Sequence, residues 1–153
     1  MAQIAEILIS RRQTLAIAES CTGGLLGHLL TEQPGASKFF QGGIICYQNL
    51  AKERLLGVRI STLQKYGSVS SATVAQMAAG ALRKLDSDFA VAISGIAGPS
   101  GGSAAKPVGT VFFGWASKET TLTFNFLFSG SRTEIKAQAT GKALEIILQE
   151  ISK

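Results

Sequence analysis

The chain predicts an α/β fold, a three-layer α/β/α sandwich with a mixed sheet, and three observations carry that reading. Short apolar runs such as "TLAIAE" and "FAVAIS" alternate with segments whose apolar residues recur at i, i+3 and i+4, so strands and helices take turns along the chain. "FAVAIS" is apolar throughout, as a strand covered on both faces must be. "TVFFGWA" and "TLTFNFLF" meet at "ASKET", which suits an antiparallel hairpin and makes the sheet mixed.

The elements follow in order. Ile4, Ile7 and Leu8 mark an amphipathic helix running to about Arg12. Thr14 to Glu19 is a short buried strand. Leu25 to Glu32 is a helix stopped by Pro34 and Gly35. "GGIICYQ" is a second strand, and "LAKERLLG" a short helix with Gly57 as its C-terminal stop. From Ser70 or Ser71, Val74, Met77, Ala78, Ala81, Leu82 and Leu85 form one continuous helical face. The "FAVAIS" strand, a glycine-rich segment and the hairpin come next. A last helix opens after Ser131 and runs through Ile135, Ala139, Ala143, Ile146 and Ile147.

Size and composition restrict what such a chain does. Its 153 residues form one domain with no internal repeat or linker, and 46% hydrophobic residues fill a core rather than a disordered tail. No run is apolar for the ~20 residues a bilayer requires. In "MAQIAEILISRRQ" the arginines follow the apolar part, the reverse of a secretory signal, which points to a soluble, cytoplasmic protein. The net charge of +5 comes in ones and twos among acids, and only 7% of residues are aromatic, so a nucleic-acid platform is disfavoured against a surface that attracts a small anion. Two cysteines and one histidine supply neither a disulfide framework nor a Cys/His metal centre.

"AESCTGG" gathers three candidate nucleophiles, Ser20, Cys21 and Thr22. A strand breaking into a helix at Ser20 leaves the first helical N–H groups free to hold an oxyanion or phosphate, and Gly23 and Gly24 open the backbone to a ligand. The same residues also make an ordinary cap and turn. His28 is eight residues beyond Ser20, ~12 Å along a helix axis, too far to act as its base unless another subunit lends a histidine. The remaining general base is a lysine of lowered pKa, and the spacing leaves Lys52 and Lys106 both open. "SGIAGPSGGSAAKPVGT", with Gly95 and Gly98 at its start, is either a backbone cradle for an anionic ligand or a flexible loop; it lacks the Walker A spacing.

"AESCTGG", "GGIICYQNLAK", "GSVSSATVAQMAAGAL", "SGIAGPSGGSAAKPVGTV" and "FSGSR", in that order, resemble one family over nearly the whole chain. It is the C-terminal domain of the competence/damage-inducible protein CinA, found also as a stand-alone nicotinamide-mononucleotide amidohydrolase. The resemblance implies hydrolysis of the carboxamide of nicotinamide mononucleotide, and a Ser-Lys arrangement that falls on Ser20 and Lys52. Amides near Thr22 and Gly23 would hold the oxyanion, Tyr47 and Asn49 would orient Lys52 or the substrate, and Arg132 would meet the phosphate. It requires neither a metal nor an organic cofactor. Two positions depart from the pattern: Gln48 stands where serine is frequent, expected to point away from Tyr47 along a strand, and Ser131 stands where aspartate is frequent, which bears on the orientation of Arg132. The larger CinA domain, associated with pyrophosphatase activity, has no counterpart here, and that activity is not expected. A homo-oligomer is expected from the resemblance and from exposure of strands such as "TVFFGWA". The rival reading is a nucleotide-binding regulatory module without turnover.

Overall fold

Each apolar run closes into a strand, and the strands order themselves around the one that precedes Ser20. The computed structural model describes residues 1–153. Its elements are α1 (Ala2–Ser10), β1 (Leu15–Glu19), α2 (Leu25–Thr31), β2 (Phe40–Ile45), α3 (Asn49–Leu56), α4 (Ile60–Tyr66), α5 (Ser71–Lys84), β3 (Phe89–Gly95), β4 (Thr110–Ser117), β5 (Thr121–Leu127) and α6 (Arg132–Ile151). The sheet order is β2-β1-β3-β4-β5. β1 is parallel to both β2 and β3, whereas β3–β4 and β4–β5 are antiparallel. No helix is long and apolar enough to cross a membrane.

Alternation along the strands sorts residues by size. Leu15, Ile17, Val91, Ile93, Val111, Phe113 and Trp115 face a core shared with α1, α2 and α6. Ala16, Ala18, Ala90, Ala92 and Ala116 face the opposite core, with Val74, Met77, Ala78 and Ala81 of α5. Small residues on both surfaces let α5 settle directly onto the sheet. A Cβ on Gly114 would stand 2.2 Å from the Val74 carbonyl oxygen, a clash with backbone that no rotamer relieves. Gly114→Ala is therefore expected to lower stability by about 3 kcal/mol, read as a fall in the urea midpoint.

Three expectations are corrected. α4 is an additional helix: "ISTLQKY" carries too few apolar residues to display a periodicity. β2 starts and ends earlier than "GGIICYQ", because after Ile45 the chain leaves the ladder to begin α3; Gln48 is accordingly the exposed residue before that helix, not a strand residue. "TVFFGWA" is an interior strand, buried between β3 and β5, and offers no exposed apolar surface.

The connection from β1 to β2 runs through α2 on one face, and that from β2 to β3 through α5 on the other. Chain direction across the sheet thus reverses at β1, which opens a crevice beyond the carboxyl ends of β1, β2 and β3. "AESCTGG", Cys46–Tyr47 and the glycine-rich segment all begin at that edge.

Candidate active site

The last rungs of the parallel ladder set the geometry. Ser20 N donates to Ile93 O at 3.0 Å, and Cys46 N donates to Glu19 O at 2.8 Å, so the residue after β1 is held between its two neighbours. One turn into α3, Lys52 is 1% exposed and folds back beneath the end of β2. Its Nζ lies 2.9 Å from Ser20 Oγ, 2.8 Å from Cys46 O and 3.0 Å from Tyr47 O. No carboxylate pairs with it. Burial without a counter-charge disfavours the ammonium and lowers its pKa from the ordinary lysine value, an effect that nearby Cys46 and Cys21 only partly oppose.

A neutral amine has two protons and one lone pair. Two carbonyl oxygens stand ready for the protons, which leaves the lone pair for the Ser20 hydroxyl. Of the two lysines open from spacing, Lys52 is the one within hydrogen-bond reach of Ser20. Lys106 Nζ instead donates to Tyr66 O at 2.9 Å and Val69 O at 2.7 Å.

The thiols are placed differently. Burial pushes Cys21 and Cys46 each up to about 11, so at pH 8 only about one molecule in a thousand carries either thiolate. Iodoacetamide at pH 8 is expected to leave both cysteines of the folded protein unlabelled over an hour and to label both in urea, read by intact mass. Labelling of the native protein within minutes would overturn this account.

The free helix N-terminus expected at Ser20 is absent. α2 begins only at Leu25, and its first amides are taken by Glu19, a buried acid. Glu19 Oε2 accepts from Gly24 N at 3.0 Å and Leu26 N at 3.2 Å, and Oε1 accepts from Gly27 N at 2.9 Å. The carboxyl group caps the helix that follows and shapes the five-residue loop carrying Ser20. Gly23 N closes a turn onto Ser20 O at 3.2 Å, while no carbonyl of the chain accepts the Thr22 amide.

Ser20 opens into a cleft of about 420 Å³, within the range of small-molecule sites. Cys21, Tyr47, Gly95, Gly98, Lys106 and Arg132 also line it, and no acid does. Arg132 opens α6, whose N-terminus is held by a reciprocal cap: Ser131 Oγ accepts from Glu134 N, and Glu134 accepts from Ser131 N. Ser131 thus does the capping work open to an aspartate at that position. Arg132 Nη1 donates to Gly98 O at 2.7 Å and Nη2 donates to Tyr47 Oη at 3.0 Å, so its guanidinium bridges two walls.

Of the residues singled out from sequence, Ser20, Lys52, Tyr47, Gly95, Gly98 and Arg132 converge on one place. Thr22 is buried, its hydroxyl unpartnered and outside the cleft lining. Gly23 is exposed beside it, near Lys136. Asn49, the first residue of α3, is exposed and lies off the cleft. His28 is exposed on α2. Sequence reasoning gave no role to Glu19, although an acid ending an otherwise apolar strand was a visible signal. No three His, Cys, Asp or Glu side chains cluster as metal ligands would.

The chain is similar to known proteins over nearly its whole length. The CinA C-terminal domain model matches residues 1–151. The chain is 44% identical over 149 residues to nicotinamide-nucleotide amidohydrolase PncC of Escherichia coli (strain K12), covering 97% of this chain and 90% of that protein. It is 42% identical over 145 residues to a CinA-like protein of Endomicrobium trichonymphae, covering 95% of this chain but 34% of that protein, about a third of its length. The crystal structure of competence damage-inducible protein A (ComA) from Klebsiella pneumoniae subsp. pneumoniae MGH 78578 superposes with a TM-score of 0.95 at 37% identity, covering 99% of this chain and 94% of that one. That of competence/damage inducible protein CihA from Agrobacterium tumefaciens gives 0.90 at 39%, covering 99% and 96%.

Proposed function

Because the chain belongs to the CinA C-terminal domain family, we propose that its cleft is the active site of a nicotinamide-nucleotide amidohydrolase, converting nicotinamide mononucleotide and water to nicotinate mononucleotide and ammonia. The observation that carries the mechanism is the 2.9 Å approach of a buried, unpaired lysine to a serine at the mouth of an acid-free cleft.

In the proposed mechanism, neutral Lys52 accepts the Ser20 proton as Oγ attacks the carboxamide carbon. The amides of Cys21, which lines the cleft, and of Thr22 behind it both lack an acceptor in the chain and are the donors for the tetrahedral oxyanion, a contribution of about 3 kcal/mol per donor in such sites. Gly23 contributes through its side-chain-free turn rather than through its amide, which is already bonded. Lys52 returns the proton to the departing ammonia, and the Cys46 and Tyr47 carbonyls stabilise its transient positive charge. Water then enters where ammonia left and hydrolyses the acyl-enzyme by the same proton relay. Tyr47 orients Arg132 and, through its carbonyl, Lys52; Arg132 meets the phosphate from the α6 side. Gly95 and Gly98 hold the backbone wall open to the nucleotide. Asn49 has no contact that supports a role in orienting Lys52.

Two further parts of the proposal concern setting and assembly. Two free cysteines suit the reducing cytoplasm. Ile45, Tyr47 and Leu50 are each more than half exposed on the β2–α3 edge, an apolar patch that supports self-association beside the cleft.

The function is tested by incubating the purified protein with nicotinamide mononucleotide and measuring ammonia and nicotinate mononucleotide together. Equimolar formation of both supports the reading. Binding of the nucleotide without either product would leave a regulatory module instead.

A further inference from the structure

We propose that Lys106 is a second phosphate-binding residue, facing the cleft from the layer opposite Arg132, and that it sets a preference for the pyridine nucleotide over its dephosphorylated nucleoside. The proposal rests on the amidohydrolase reading for the identity of the substrate, and on the following geometry for the residue.

Lys106 lies in the segment between β3 and β4, and its ammonium reaches across to the Tyr66–Val69 turn before α5, where two carbonyl oxygens fix it at 2.9 and 2.7 Å. Those bonds engage two of its three protons. The third proton and the whole charge have no partner, because none of the ion pairs in the chain includes Lys106. The side chain lines the cleft, where no carboxylate competes for it. A phosphate monoester brings a charge of about −1.5 to −2 at neutral pH, more than Arg132 alone neutralises.

Position agrees with charge. The Tyr66–Val69 turn is tied to the end of β3 by Ser94 Oγ donating to Ser68 O at 2.8 Å. β3 neighbours β1, and adjacent strands are about 4.8 Å apart, so Lys106 is anchored at the end of β3 while Ser20 follows the end of β1. In a pyridine mononucleotide the carboxamide and the phosphate are at opposite ends of the molecule. With the amide carbon at Ser20, the phosphate extends away from the Ser20–Lys52 pair. A fixed, unpaired cation on the far wall is what that end of the substrate requires.

A purely mechanical role, pinning one loop to another, needs donors and not charge. Lys106→Gln keeps a donor and removes the charge, whereas Lys106→Arg keeps both. The readout is the ratio of kcat/KM for nicotinamide mononucleotide to that for nicotinamide riboside. In Lys106→Gln the ratio is expected to fall about 30-fold, and in Lys106→Arg to stay within about threefold of the unaltered protein. A ratio unchanged in Lys106→Gln, even with both rates reduced, overturns the proposal. So does an unaltered protein that hydrolyses the riboside as efficiently as the nucleotide, a result that needs no variant. Calorimetric titration of inorganic phosphate reads the residue independently of turnover. Phosphate affinity is expected to drop at least tenfold in Lys106→Gln, and equal affinity overturns the assignment. Absence of turnover on either substrate would remove the amidohydrolase reading, and the phosphate titration would still decide Lys106.

Discussion

Replacing Ser20 by alanine is expected to lower kcat on nicotinamide mononucleotide by about four orders of magnitude, while the nucleotide still binds. The expectation follows from position. Ser20 Oγ is the hydroxyl within reach of the buried amine, Cys21 remains a neutral thiol, and the Thr22 hydroxyl is outside the cleft lining. No neighbouring atom takes over the attack once Oγ is gone. The measurement is ammonia release under single-turnover conditions, with intact mass after acid quench. The unaltered protein is expected to show a transient ester of nicotinate mononucleotide on Ser20, and the variant none. A variant retaining a tenth of the activity would exclude Ser20 as the nucleophile.

The second large effect concerns Lys52. Lys52→Arg keeps a cation and its donors but cannot furnish a lone pair, since a guanidinium does not deprotonate in the accessible range. Its kcat is expected to fall about a thousandfold. A variant as active as the parent would mean that the positive charge, not the base, is the working form. The pH profile makes the same distinction. The reactive form is the neutral amine, so kcat/KM rises with pH as Lys52 loses its proton and levels off above its pKa. Burial lowers that pKa below the ordinary lysine value, so the rising limb falls at lower pH than a solvated lysine would give. A rate that falls with rising pH across this limb would reverse the assignment of the base.

How much of this was legible from residues alone depends on the physics each element uses. α5 and α6 were readable because their apolar faces repeat with the helical period over many residues, and Ser70 and Ser131 cap them with side-chain oxygens. β4 and β5 were readable as a hairpin, yet the depth of "TVFFGWA" was not. Apolar residues read the same on an interior strand as on an exposed one until the neighbours are known, and β3 pairs on its other side. α4 escaped because its seven residues form a helix through tertiary support rather than through a periodic face.

The site divides similarly. Ser20 stood out as a polar group ending an apolar strand; His28 was set aside on the rise of a helix that in fact begins only at Leu25, and it is its exposed place on α2, off the cleft, that removes it. The choice between Lys52 and Lys106 could not be made from spacing. It depends on which lysine folds under the sheet edge and which reaches across to the α5 layer, a question of long-range pairing between β1, β2 and β3. The helix N-terminus was misjudged for a related reason. Free amides there assume that nothing upstream satisfies them, and Glu19 does so with three bonds, which only the folded loop brings together.

Lys52, the proposed base, is carried by the helix that follows the boundary strand of the sheet. β2 has β1 on one side and no strand on the other, and α3 hangs from its end. Thermal fraying begins where a ladder has one rail, so a local opening that leaves the interior strands intact already withdraws the amine from the hydroxyl. On the proposed mechanism, activity is therefore expected to fall at a lower temperature than the sheet unfolds, and whatever seals that outer rail is expected to protect the chemistry more than the fold.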